Sequence, residues 1–132
     1  MKKIIYSTIL ILSVLFIYSF TNFDNNQDKN WNDCVKKYKS EWGKPCQKCT
    51  YNEDIYKVYF KNICNEKIDL LISVQEKNKT WNCVYKTDFA PNDTVVGYAC
   101  KGTGKYLYWV KKAGDTEITF PTRDEINKMY KD

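Results

Sequence analysis

The sequence predicts a mainly β domain: a six-strand antiparallel sandwich or partly open barrel, with an N-terminal helix, a short C-terminal helix and stabilising disulfides. Three observations carry this reading. From residue 55 onward, apolar and polar residues alternate in short runs separated by Asn, Gly and Asp turns. All six cysteines lie beyond an apolar N-terminal stretch, which suits a cross-linked exported domain. Eleven tyrosines, six phenylalanines and four tryptophans supply bulk to a chain poor in aliphatic core residues.

The N-terminus comes first. Met1-Lys2-Lys3 precedes Ile4 to Phe20, a run of 17 residues without charge, the arrangement of a secretory signal. Ser19-Phe20-Thr21 is a poor cleavage site, and 17 residues lie at the lower limit for crossing a bilayer. Residues 1–21 therefore read as a signal peptide, with an uncleaved anchor over residues 4–20 as the alternative. Either way, the two lysines stay inside and the remainder lies outside the cytoplasm: secreted, periplasmic or on the cell surface. Residues 22–30 form a polar tether, and residues 31–132 form one domain.

Trp31, Val35, Tyr38 and Trp42 recur at i, i+4, i+7 and i+11, which predicts a helix over residues 31–42. Asn30 or Asn32 caps it, and Gly43 with Pro45 stops it. Lys36, Lys37 and Lys39 lie on its solvated faces. The next residues hold a C-x-x-C, Cys46-Gln47-Lys48-Cys49. A redox site would want this pair at a helix N-terminus, but Pro45 precedes it and no helical period follows. A zinc site would want a second close cysteine pair, and none exists. A structural loop is favoured, with Cys34, Cys46, Cys49, Cys64, Cys83 and Cys100 forming up to three disulfides. Of the fifteen possible pairings, Cys83 with Cys100 is preferred, since both sit in segments that look like strands of one sheet.

Strands are predicted at residues 56–61, 68–75, 80–85, 94–100, 105–111 and 117–120. Tyr56, Val58 and Phe60 alternate with Lys57, Tyr59 and Lys61. Ile68, Leu70, Ile72 and Val74 alternate with Asp69, Leu71, Ser73 and Gln75, as in a half-buried strand. Lys101-Gly102-Thr103-Gly104 reads as a tight turn. Thr122 and Glu125 make a capping box for the final helix, whose apolar face of Ile126, Met129 and Tyr130 must dock on the sheet to persist. The sequons Asn78-Lys79-Thr80 and Asn92-Asp93-Thr94 both fall in expected turns and would be acceptors in a host that glycosylates asparagine; in an Asn-rich chain, chance occurrence is the favoured reading.

Charge and composition exclude several functions. Without histidine there is no Ser-His-Asp triad, no imidazole base and no His-ligated metal. The net charge of +5 rests on lysines, with Arg123 the sole arginine, which argues against a nucleic-acid partner. Glu53 and Asp54 are adjacent and point oppositely in an extended chain, while Asp88, Asp93 and Asp115 sit in turns. No cofactor and no metal site are expected.

The aromatics are the unusual feature. In the 105–111 strand, Tyr106, Tyr108 and Val110 share one face while Leu107 and Trp109 share the other. One set fills the core; the other is covered or exposed. An exposed row drawn from Tyr106, Tyr108, Tyr98 or Tyr59 would stack on sugar rings or anchor a protein. The alternative is cross-strand pairing that stabilises the sheet, which is the commoner use. Tyr98, Tyr106, Tyr108 and Trp109 are the binding candidates.

Phe60-x-Asn62-x-Cys64, then Ile68-x-Leu70, Trp81, Pro91-Asn92-Asp93-Thr94 and Gly104-Lys105-Tyr106-x-Tyr108-Trp109, resembles a pattern in small exported bacterial β-sandwich proteins that mostly lack an assigned biochemistry. The likeness spans roughly residues 58–110. It implies the sandwich fold and carries over no catalytic residue; Asn92 stands where that pattern has glycine after the loop proline. The expected function is a non-catalytic binding or interaction module, or a small subunit of a cell-envelope assembly. Its partner would be a protein or glycan surface, and it would touch a membrane only through an uncleaved leader. The competing class is a thiol–disulfide oxidoreductase using Cys46 and Cys49.

Overall fold

A computed structural model describes residues 29–50 and 53–131. The predicted leader and most of the tether lie outside the described residues. In chain order the elements are a 3-10 turn at Trp31–Cys34, β1 at Val35–Trp42, β2 at Tyr56–Asn62, β3 at Ile68–Glu76, β4 at Trp81–Phe89, β5 at Thr94–Ala99, β6 at Gly102–Lys112 and α1 at Arg123–Met129. The strands form two antiparallel sheets, ordered β1-β2-β5 and β4-β3-β6, packed as a sandwich and not closed into a barrel.

Six strands are present, but not the predicted six. The helix expected over residues 31–42 is replaced by the 3-10 turn and by β1, an edge strand hydrogen-bonded to β2. Its register shifts between Lys37 and Lys39, so Tyr38 is an extra residue. A bulge of this kind breaks the two-residue alternation and mimics helical spacing in the sequence. Lysines on such an edge discourage pairing with another chain. At the other end, the strand predicted at 117–120 is absent. There the Asp115 carboxylate accepts the Glu117 N–H at 2.8 Å, and Lys111 Nζ donates to the carbonyls of Asp115 and Ile118, at 2.8 and 3.0 Å. These local bonds replace a ladder.

Between the sheets, Val58 and Phe60 of β2 join Leu70, Ile72 and Val74 of β3 in one buried cluster. The sheets pack tightly at Gly97, where a Cβ would lie 2.4 Å from Ile72 Cγ2, so no larger residue fits without displacement. The Phe60-x-Asn62-x-Cys64 element is structural. Phe60 fills the core, and fully buried Asn62 donates to the carbonyls of Glu66 and Phe89 and accepts from Cys64 N–H. Cys64 bonds to Cys34.

The preferred Cys83–Cys100 bridge is corrected to Cys49–Cys100. Cys83 packs with Leu71 and Trp81 on the outer face of its sheet, whereas Cys100 follows β5 in the other sheet, so their sheets separate them. Cys46 and Cys83 are unpaired among the described residues. Residues 102–104, expected as a turn, open β6 instead. The chain crosses between sheets at Cys100 and Lys101, whose N–H groups both donate to the Glu76 carboxylate at 3.0 and 2.8 Å. Two disulfides suit an oxidising location outside the cytoplasm. No helix among the described residues is long and apolar enough to cross a membrane.

Candidate functional site

The outer faces of the two sheets are built differently. On β4-β3-β6, Leu71 of β3 stands opposite Trp109 of β6 and Tyr85 of β4. α1 lies across this face. Its capping box forms as predicted, with Thr122 and Glu125 bonded reciprocally. Ile126 is fully buried with Leu71 and Trp81, and Trp81 Nε1 donates to the Tyr130 carbonyl at 2.8 Å. Met129 stays exposed. β3, expected to be half-buried, is therefore buried on both faces from Ile68 to Gln75.

The outer face of β1-β2-β5 carries Lys57, Tyr59 and Lys61 of β2, which alternate with buried Val58, Phe60 and Asn62. Lys36 of β1 stands opposite Lys61, and Val96 and Tyr98 of β5 stand opposite Tyr59 and Lys57. The bulge in β1 brings Tyr38 and Lys39 together over Tyr59: the two rings are 6.0 Å apart, and Lys39 Nζ lies 5.1 Å above the Tyr59 ring. Tyr59 donates to Glu41 at 2.8 Å, and Lys39 pairs with Glu41 at 2.6 Å. The Lys39 ammonium, then the Tyr59 hydroxyl, hold the Glu41 carboxyl below its ordinary range. Burial, then the bond to Glu41, pushes the Tyr59 phenol up to about 12. Tyr59 is thus a neutral, oriented ring at pH 7. Four lysines against one glutamate leave this strand face positive.

Among the described residues, what meets this face is the loop 43–50. Lys57 Nζ donates to the Pro45 carbonyl, and the Cys49–Cys100 bridge fastens the loop beside β5. Between loop and sheet is a cleft of about 360 Å³, lined by Cys46, Gln47, Lys57, Val96 and Tyr98 among others. That lies within the size range of small-ligand sites. Larger clefts, of about 490 and 590 Å³, flank Tyr130 on the opposite sheet. They flank a seven-residue helix, and the carboxylate of Glu125, which lines the larger of the two, is engaged in the capping box.

The four predicted binding aromatics do not share one surface. Tyr98 lies on the open face with Tyr59. Tyr106 and Tyr108 turn toward the inter-sheet core, with ring centroids 5.7 and 5.2 Å from Phe60. Trp109 faces the other way, 6.3 Å from the Tyr130 ring beneath the end of α1. Alternation along β6 told which residues share a face, but not which face turns inward. Tyr38, Lys39 and Lys61 were not singled out as a site; the β1–β2 register assembles them. The C-x-x-C is a turn, with the Cys49 N–H donating to the Cys46 carbonyl at 3.0 Å, and its two cysteines are not bonded to each other. Compared with known proteins, the chain matches no family model, no curated protein and no solved structure.

Proposed function

We propose that this is an exported, non-catalytic module that binds an acidic glycan through the outer face of β1-β2-β5, at or beyond the cell envelope. The observation that supports this is a positive sheet face set with Tyr38, Tyr59 and Tyr98, while the opposite face is sealed by α1. Tyrosine rings stack on sugar rings at low entropic cost. Lysines are flexible point charges that suit the spread-out charge of a polymer. Protein interfaces are enriched in Arg and depleted in Lys, and this face carries lysines and no arginine, so its charge favours a glycan over a protein partner. The N-terminal run would export the chain, or hold it at the membrane through residues 4–20 if uncleaved. The resemblance to small exported bacterial β-sandwich proteins is in keeping with this setting, and so is a role as a small subunit of an envelope assembly.

The test is retention of the exported chain on immobilised polyuronate and sulfated glycans across a salt series. Retention is expected to fall with salt. It should be lost in a Lys36→Glu, Lys61→Glu double variant and weakened by Tyr98→Ala, with folding intact. Equal retention on neutral glycans, capture by proteins alone, or wild-type behaviour of both variants would overturn the proposal.

A further inference from the structure

We propose that Cys46, Cys49 and Cys100 form an internal thiol–disulfide exchange site whose two states fasten or release the loop at the edge of the candidate face. Among the described residues only Cys46 and Cys83 are unpaired, and their surroundings differ. Cys83 lies on the far sheet near α1, its sulfur 3.1 Å from Ser73 Oγ. Cys46 opens the turn that ends in Cys49, with the Cys49 N–H on its carbonyl at 3.0 Å. The first and fourth Cα atoms of such a turn lie within about 7 Å. That overlaps the span of roughly 4.4–6.8 Å that a disulfide bridges. The present partner, Cys100, has its Cα 5.4 Å from that of Cys49. The backbone of the turn therefore lets Cys49 bridge to Cys46 as well as to Cys100.

The exchange balances within the chain. The Cys46 thiol loses its proton to solvent, and the thiolate attacks Cys49 Sγ. The Cys46–Cys49 bond forms as the Cys49–Cys100 bond breaks. Cys100 leaves as a thiolate and takes a proton from solvent. One disulfide and one thiol exist before and after, so no oxidant or reductant is consumed. The β5–β6 crossing does not depend on the bond, because Glu76 still accepts the N–H groups of Cys100 and Lys101.

The two states differ in what they tie down. The Cys49–Cys100 bond joins residues 51 apart and fastens the loop beside β5. The exchanged bond closes only the short turn. The loop then keeps the Lys57–Pro45 hydrogen bond and the Gly43 N–H on the Ile55 carbonyl. A bond across the longer separation constrains the unfolded chain more, so the fastened state resists unfolding more than the released one. Release widens access to Val96 and Tyr98. That last consequence rests on the binding reading of the face; the exchange itself does not.

The test is a disulfide map of the exported chain, purified without reductant and held at pH 8. Free thiols are then alkylated and the chain is cleaved at acid pH. The expected result is a Cys46–Cys49 linked fraction beside Cys49–Cys100, with Cys100 alkylated to the same extent. Cys46→Ser should lose that linkage and the Cys100 label together, and Cys100→Ser should carry Cys46–Cys49 as its loop bridge. A wild-type map with Cys49–Cys100 alone and Cys100 unlabelled, or equal Cys100 labelling in Cys46→Ser, overturns the exchange. Retention on sulfated glycan is read separately. Cys100→Ser, fixed as released, should bind severalfold more tightly than Cys46→Ser, fixed as fastened. Equal retention with exchange intact overturns release of the face alone, and no retention by any form overturns the binding reading alone.

Discussion

The central strands of the two sheets, β2 and β3, show how differently one fold can finish two similar surfaces. Each strand turns alternate residues to the shared core. On its outer side β3 presents Leu71, Ser73 and Gln75, and the chain returns after β6 to lay Phe120 and Ile126 over this region. On its outer side β2 presents Lys57, Tyr59 and Lys61, which stay half-buried with no helix laid over them among the described residues. A leucine in the middle of a sheet face needs a cover, because its exposure forfeits burial energy. Lysine stems and tyrosine rings meet water with their polar ends and need none. The composition of the outward positions thus separates a face that completes the fold from one free to bind, and this contrast can be broken by substitution.

The largest expected effect is on the sealed face. Leu71→Ala should cost about 2–5 kcal/mol, as for a fully buried leucine. Tyr59→Ala, at the corresponding outward position of β2, should cost about 1 kcal/mol or less. Urea denaturation of both variants is the measurement, and equal losses would remove the distinction between the faces. A smaller effect follows from Trp81→Phe, which keeps an aromatic ring in the cluster but loses part of the indole's bulk and its donor to the Tyr130 carbonyl. A loss of about 1–2 kcal/mol is expected. Hydrogen exchange should rise in α1 while β1 and β2 stay protected; a change on β2 instead would show that α1 also supports the open face.

Much of this arrangement was legible in the sequence. Alternation located β2, β3, β5 and most of β6, and Thr122 with Glu125 marked the start of α1. What escaped had physical causes. The bulge at Tyr38 turns the pattern of β1 into an apparent helix, and the pairing with β2 that settles the matter is long-range. Residues 117–120 alternate as a strand would, yet Asp115 and Lys111 satisfy the local backbone instead. Cysteine pairing depended on knowing that β4 and β5 lie in different sheets, which no local signal around Cys83 or Cys100 states. The candidate face was half visible. Tyr98 and Tyr59 are visible as candidates in the sequence, but the lysines joining them come from two strands whose pairing is long-range.

The smallest expected effect is a pH dependence that moves the two faces differently. Glu125 has its carboxyl lowered by the backbone N–H and then the hydroxyl of Thr122, while Glu41 is lowered chiefly by Lys39. A carboxyl lowered in the folded chain binds fewer protons there than in the unfolded chain. The stability it lends is present above the ordinary value of 4.5 and is lost as pH falls through the lowered one. Over β3, protonating Glu125 weakens the capping box, so the first turn of α1 should fray and tryptophan fluorescence should shift slightly. Glu125→Gln should flatten that shift. On the open face, protonating Glu41 releases Lys39 from its only paired acid on these strands and makes the surface more positive. Sulfated glycans keep their charge at this pH, so their retention should rise while the helix loosens, and Glu41→Gln should give the raised retention already at pH 7. If retention fell in step with the fluorescence change, the two faces would be coupled and the division of labour between β2 and β3 would fail.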